Sequence, residues 1–229
     1  MRFLICLFCA IFFQFSNVHA ADTPYVNALQ LDLIPFIPPP VANGSAADKI
    51  QQLQVLAIQN AASKARIAQA NTDAAETIFV MFSSVMGTNF TQDALPKITA
   101  LFRKIDEVEH KVVDPVKAHF ARTRPYSSNP QIKPLVRPST SGSYPSGHAT
   151  RSTITAILLS KMSPEKQAAI FIRADAYAMS RVIGGMHYLE DLEAGRIAGS
   201  AIASALLADN QFMIDINEAK TELRSVLGL

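Results

Sequence analysis

Three short blocks of this 229-residue sequence carry side chains suited to chemistry. They are Lys117-x6-Arg124-Pro125, Pro145-Ser146-Gly147-His148 and Ser180-Arg181-x5-His187-x3-Asp191. Phosphoryl transfer asks for what they supply: fixed positive charge around the equatorial oxygens, a nucleophile and a proton donor. Lys117, Arg124 and Arg181 fit the first role, the arginines better because a planar fork bonds two oxygens at once. Ser146-Gly147, ahead of a helical stretch, offers backbone N–H groups, a hydroxyl and room for close approach, which together make an oxyanion cradle. His148 then faces that cradle, where it can protonate a leaving alcohol and later take a proton from water. His187 and Asp191 lie four apart and meet on one helix face. A carboxylate accepting from Nδ1–H leaves Nε2 free to attack phosphorus and stabilises the cation that develops.

Each block has a plainer reading when taken alone. Lysine and arginine are mostly solvated surface charges, P-S-G-H is more often a turn and helix cap, and His187–Asp191 could be an ordinary helix pair. Their joint order within about a third of the chain outweighs those readings. His110 and His119 lie outside the blocks and receive no role. Two histidines and an aspartate could ligate zinc, but three cations converging on one pocket would repel it, so no metal and no cofactor is expected.

The elements that must position these residues read as helices. Lys117 and Arg124 are seven apart and face the same way if a helix continues through both. Asp93 to Ala121 has helical texture, yet Pro96 near its start and Pro115 inside predict two segments. Helices are also expected from Ala46, with Ile50, Leu53, Leu56 and Ala57 on one face, and over Ala74 to Val85. Others follow after Gly147, from Pro164 with Ser163 as cap to about Val182, from His187 to Ala208 and from Asp215 to Leu227. A break falls at Gly184-Gly185. Arg124 to Ser143 holds four prolines and reads as a long functional loop. Residues 21–45, with Pro38-Pro39-Pro40 and Asn43-Gly44-Ser45, read as an extended arm on the surface. With no alternating strand pattern and no repeat, the expected fold class is all-α: a single-domain helical bundle behind a proline-rich N-terminal arm.

The first twenty residues read as an export signal. Arg2 precedes an apolar run from Phe3 to Phe13, and Val18-His19-Ala20 suits cleavage before Ala21. The run is too short to span a bilayer comfortably. Cys6 and Cys9 are the only cysteines and both fall in that segment, so the expected mature chain has no thiol and is stable by packing alone. Bulky Phe8 before Cys9 argues against a lipid anchor. Without Arg2, twenty basic residues face nineteen acidic ones, which argues against nucleic acid as the main partner. Small phosphomonoesters are the expected partners, without a stable membrane anchor, and a homo-oligomer is compatible with the sequence. The expected location is periplasmic or secreted in a bacterium.

The three blocks resemble those of the phosphatidic acid phosphatase type 2 superfamily, which includes the vanadium haloperoxidases. The run Gly142-Ser143-Tyr144-Pro145-Ser146-Gly147-His148 is similar to the signature of the class A bacterial non-specific acid phosphatases. The resemblance implies an all-α fold and a metal-independent acid phosphatase acting through a phosphohistidine on His187. It also implies His148 as acid/base, Asp191 as orienting group, and phosphate contacts from Lys117, Arg124, Ser146, Gly147, His148 and Arg181. Phosphate transfer to alcohols is compatible with a phosphoenzyme. Ala149 stands where many class A members have threonine, and Gly184 and Leu189-Glu190 also depart from the commoner pattern. Tyr126, Tyr144 and Tyr188 adjoin the blocks and form either an aromatic substrate wall or part of the core. The rival readings are a vanadium-dependent haloperoxidase, a periplasmic lipid phosphatase and a phosphate-binding protein without turnover.

Overall fold

Apolar residues at helical spacing, punctuated by proline, glycine and capping hydroxyls, fold this chain as helices alone. The computed structural model describes Tyr25 and residues 29–229, and no strand occurs among them. The export signal, with Cys6, Cys9 and Ala20, lies outside the described residues. The helices are α1 (Ala46–Ala61), α2 (Lys64–Thr72), α3 (Ile78–Met86), α4 (Pro96–Phe120), α5 (Pro125–Ser128), α6 (Gly147–Met162), α7 (Gln167–Ile183), α8 (Leu189–Leu207) and α9 (Asn210–Leu227). Side chains of Ser45, Ser63, Thr77, Ser146 and Asp209 accept from backbone N–H groups at the starts of α1, α2, α3, α6 and α9. Each cap satisfies a donor that the helix itself leaves open. Among the described residues, no single helix is long and apolar enough to cross a membrane.

The central element is α6, with twelve of its sixteen residues buried. It packs chiefly against α8 and α7. Two glycines let α8 come close. A Cβ at Gly195 would stand 2.7 Å from both the Ala149 Cβ and the Ser146 carbonyl oxygen, and one at Gly199 only 2.6 Å from the Thr150 carbonyl oxygen. Removing those two methyl positions brings the start of α8 against the start of α6, where the Ser146 N–H donates to the Asp191 carbonyl at 2.9 Å. Two of the three chemical blocks are thereby locked together.

Several expectations are corrected. Pro115 does not split the Asp93–Ala121 stretch, because α4 runs unbroken from Pro96 to Phe120. A proline inside a helix costs roughly 3 kcal/mol. Buried Val108, Val112, Val113 and Val116 on the inward face hold the helix through it. Ser163 does not cap the next helix. Its hydroxyl donates back to the Leu159 carbonyl at 2.8 Å, and a 3-10 turn over Pro164–Lys166 intervenes before α7. The helix expected from Ala74 begins at Ile78, and the one expected from Asp215 begins earlier, at Asn210. The arm is not confined to the surface: Tyr25, Leu33 and Ile37 are buried in the main core. The Tyr25 hydroxyl donates to Asp215 on α9 at 2.8 Å.

Candidate active site

Helix ends, rather than helix middles, carry most of the site. Lys117 sits in the last turn of α4, which stops when Ala121 takes a left-handed conformation at φ 45°. Arg124 therefore does not share a helix with Lys117; it lies beyond the turn, at the start of α5. The two are brought together by backbone pairing instead. Ser143 N–H donates to the Arg122 carbonyl at 2.9 Å, and a Cβ on Gly142 would lie 3.1 Å from the Lys117 carbonyl oxygen. Ser146 is the N-cap of α6, accepting from Ala149 N–H at 3.3 Å, so Gly147 and His148 form the first turn of that helix. Arg181 ends α7. Gly185 then turns the chain at φ 72°, where a Cβ would stand 2.9 Å from Ile132 and from the Lys133 carbonyl oxygen. His187 follows in irregular backbone just before α8, not on it. Asp191 reaches back to His187 from the first turn of α8.

Lys117, Arg124, Gly147, His148, Arg181 and His187 all line one cavity of about 290 Å³. Asp191 lies behind His187, completely buried, and Ser146 is likewise buried and does not line the cavity. The His187 Nδ1 is 3.3 Å from Asp191 Oδ2, an oxygen that also accepts from Tyr188 N–H at 2.8 Å. The other ring nitrogen, Nε2, is 3.1 Å from Arg124 Nη1. Two donors on Arg181, Nε and Nη1, are buried without a partner among the described residues, and so is Nε2 of His148. Buried polar atoms are normally satisfied, so three unpartnered ones around one cavity mark a place where an anion with several acceptor oxygens fits. Among the described residues, no three His, Cys, Asp or Glu side chains are grouped to hold a metal ion.

The buried cations fall into two sets. Arg122, Arg151 and Arg173 each have carboxylate partners: Arg122 with Glu190 and Asp191 at 2.8 Å, Arg151 with Glu76 at 2.6 Å and Glu109 at 3.2 Å, Arg173 with Asp73 at 2.5 Å. Among the described residues, Lys117, Arg124 and Arg181 have none. Lys117 donates to the Pro145 carbonyl at 2.6 Å, and Arg124 to the carbonyls of Ser141, Gly142 and Met186 at 2.9–3.1 Å. Carbonyl oxygens solvate a cation without cancelling its charge. The charge that remains is available to a phosphate.

That charge and the lack of water set the protonation states. Burial, reinforced by Arg124, Lys117 and Arg181, holds His187 neutral well below the usual histidine range. Burial, reinforced by Arg181, brings His148 down to about 3. Burial and the neighbouring Arg124 lower Lys117 to about 8. Asp191 is pushed up to about 7 by burial, against the opposing pull of Arg122. A bound phosphate dianion offsets the cations and favours protonation of His148.

Sequence reasoning overlooked three contributors. Arg122 lies inside the first block but off its pattern, and it fixes Asp191 from behind while stacking over Tyr188 at 4.1 Å. Glu190, noted only as a departure, accepts from Arg122, from Gln51 at 2.8 Å and from Val41 N–H at 3.2 Å, tying the arm and α1 to the site. Glu76 lines the cavity beside His148. Of the three tyrosines, Tyr144 and Tyr188 are core residues, whereas Tyr126 lines an adjoining open groove.

Comparison with known proteins gives the chain a family. The pattern of the PAP2 superfamily matches residues 78–213, more than half of the chain, and the chain belongs to that superfamily. A non-specific acid phosphatase of Providencia stuartii is 28% identical over 97% of this chain and 98% of its own length. An acid phosphatase of Zymomonas mobilis subsp. mobilis is 27% identical, covering 84% of this chain and 75% of its own. A transmembrane PAP2-type phosphatidylglycerolphosphate phosphatase from Bacillus subtilis aligns in structure at 18% identity with a TM-score of 0.49, over 70% of this chain and 84% of that one.

Proposed function

We propose that this PAP2-superfamily chain is an exported acid phosphatase that hydrolyses small phosphomonoesters through a phosphohistidine on His187, with phosphate transfer to alcohols as a side activity. The observation that carries the reading is the set of three buried cations without carboxylate partners around one cavity, beside a histidine backed by a carboxylate. The relatives named as acid phosphatases support that reading. The apolar run after Arg2 supports export to the periplasm or the medium.

In this mechanism Lys117, Arg124, Arg181 and the first backbone N–H groups of α6 hold the phosphoryl oxygens. His187 Nε2, neutral on arrival, attacks phosphorus as Arg124 Nη1 turns from the ring to an oxygen. The bond to the ester oxygen breaks, His148 gives that oxygen its proton, and the alcohol leaves. Asp191 stabilises the imidazolium character of the phosphorylated ring. His148 then takes a proton from water, whose oxygen attacks phosphorus, and the P–N bond breaks to release phosphate and restore His187. An alcohol in place of water gives phosphate transfer.

The test is p-nitrophenyl phosphate hydrolysis by the mature protein at acid to neutral pH in excess chelator, beside His187→Ala. Chelator-resistant turnover that vanishes in the variant, with vanadate still bound, is expected. Turnover that survives His187→Ala rules out the nucleophile. Bromination with added vanadate, without ester hydrolysis, moves the assignment to a haloperoxidase. An exported protein isolated with Ala21 at its N-terminus is the expected outcome for the signal segment.

A further inference from the structure

His148 has a carboxylate neighbour that none of the three sequence blocks contains. Its Nδ1 lies 3.2 Å from Glu76 Oε1. Glu76 belongs to the connection between α2 and α3, far from His148 in sequence. Its place is fixed on two sides: Thr77 caps α3, and Arg151 Nη1 holds the second carboxylate oxygen at 2.6 Å. Arg151 is itself fastened to α4, with Nη2 3.2 Å from Glu109 and Nε 2.9 Å from Asp106. The imidazole also stacks on Tyr177, centroids 5.6 Å apart and planes 18° from parallel, while the Tyr177 hydroxyl donates to the Ala75 carbonyl next to Glu76 at 2.8 Å. The Nδ1 edge therefore faces the Glu76 carboxylate, and Nε2 is the buried edge without a partner among the described residues.

We propose that Glu76 is a positioning residue for His148, holding the proton on Nδ1 so that Nε2 presents the exchangeable proton to the leaving group. The site then has two histidine–carboxylate pairs on one cavity: His187–Asp191 for attack and His148–Glu76 for proton transfer. The two carboxylates have opposite environments. Asp191 is fully buried, whereas the Glu76 side chain is 48% exposed at the cavity rim. Burial opposes ionisation of Glu76, but the positive charge facing it, with Arg151 bonded to the carboxylate, outweighs burial and keeps its pKa below the ordinary glutamate range. A permanent negative charge there supports a proton on a ring that otherwise faces cations. The groups around His148 are Arg181 and Tyr177 from α7, Arg151 on its own helix, Glu76, His187 across the cavity, and Glu109 of α4, which lines the same cavity. Glu109 is engaged with Arg151, and Glu76 is the carboxylate beside the His148 Nδ1.

The inference rests on the proposed role of His148 as the acid, so the test separates the two. An aryl phosphate with a good leaving group needs little proton donation, whereas an alkyl phosphate needs much. The ratio of kcat/KM for p-nitrophenyl phosphate and glycerol 2-phosphate is measured for the wild type, Glu76→Gln, Glu76→Asp and His148→Asn, with vanadate inhibition as a check on the cradle. Glu76→Gln is expected to lose about tenfold or more on the alkyl ester while losing less than about threefold on the aryl ester. The basic limb of its alkyl pH profile moves to lower pH, because His148 loses the charge that favours its proton. Glu76→Asp recovers part of the loss, which also guards against a misfolded Gln variant. Equal losses on both esters, or none, in a Glu76→Gln protein that still binds vanadate overturn the proposal while leaving His148 as acid. If His148→Asn itself shows no preference for the aryl ester, the acid assignment fails and this inference falls with it.

Discussion

Arg122 offers a perturbation whose size follows from the geometry. It is fully buried, and its Nη1 is 2.8 Å from Asp191 Oδ1, on the side of the carboxylate away from His187. Even with that guanidinium in place, burial pushes Asp191 up to about 7. Arg122→Gln keeps a polar side chain at the position and removes the charge. Loss of an opposite charge at this range raises a carboxyl pKa by about one unit or more, worth about 1.4 kcal/mol per unit. Asp191 is a carboxyl raised above its unfolded value, so it is protonated below about 7 and ionises as pH rises. Below that point each unit of further rise lowers the ionised fraction about tenfold. A protonated Asp191 no longer stabilises charge on His187. The expected result is a kcat/KM for p-nitrophenyl phosphate about tenfold lower near pH 5.5, with the acid limb displaced upward by about one unit and the difference closing at alkaline pH. The assay is a pH–rate profile on a variant shown by near-ultraviolet circular dichroism and vanadate binding to be folded. A loss that is uniform across pH in that folded variant, or an unmoved acid limb, refutes the reasoning.

The close approach of α6 and α8 makes Gly195→Ala costly, since its Cβ would stand 2.7 Å from backbone oxygen and from Ala149. A loss of about 1–3 kcal/mol is expected in chemical denaturation, and a variant as stable as the wild type would contradict the packing account. Pro115 is exposed inside α4, so Pro115→Ala restores a helix hydrogen bond without opening a cavity and should raise stability by about 1–3 kcal/mol, read the same way. Lys117, lowered to about 8, loses its charge as pH rises through that value. Vanadate inhibition of the wild type should weaken there, and Lys117→Ala should remove that step from the pH dependence.

Legibility from sequence varied with the physics of each feature. Helix ends were readable at Ser146 and at Gly184-Gly185, whereas the caps Thr77 and Asp209 were passed over and Ser163 was credited with a cap it does not make. Pro115 misled because a local rule predicts a break that the buried valines of α4 override. The pairing of His187 with Asp191 was correctly expected, but on a helix that does not contain His187. Asp191 instead caps Tyr188 N–H with the same oxygen that faces the imidazole. The shared orientation of Lys117 and Arg124 was likewise read from a helix that ends between them, and the pairing of Ser143 with Arg122 does that work. Arg122, Glu76 and Arg151 left no local signal, because their partners are brought together only by tertiary contact.

The division of the buried cations explains why arginines of similar burial have different uses. Charge on Arg122, Arg151 and Arg173 is cancelled by carboxylates, whereas Arg124 is solvated by carbonyls that leave its charge in place. Converting Arg124 from the second set to the first should therefore remove phosphate affinity without removing any donor. Ser141 permits that change: it is exposed, and its hydroxyl lies 3.3 Å from Arg124 Nη2. Ser141→Asp puts a carboxylate beside the guanidinium, and Ser141→Asn puts a neutral amide of the same shape there. At about 4 Å and an effective dielectric near 20, two unit charges interact by about 4 kcal/mol, an upper bound at an exposed position. Even a third of that weakens phosphate or vanadate inhibition by about tenfold for Ser141→Asp, while Ser141→Asn stays near the wild type. The effect should shrink with added salt, since the new charge is exposed. Equal weakening by both variants would mean that shape at the cavity rim, not free charge on Arg124, sets the affinity.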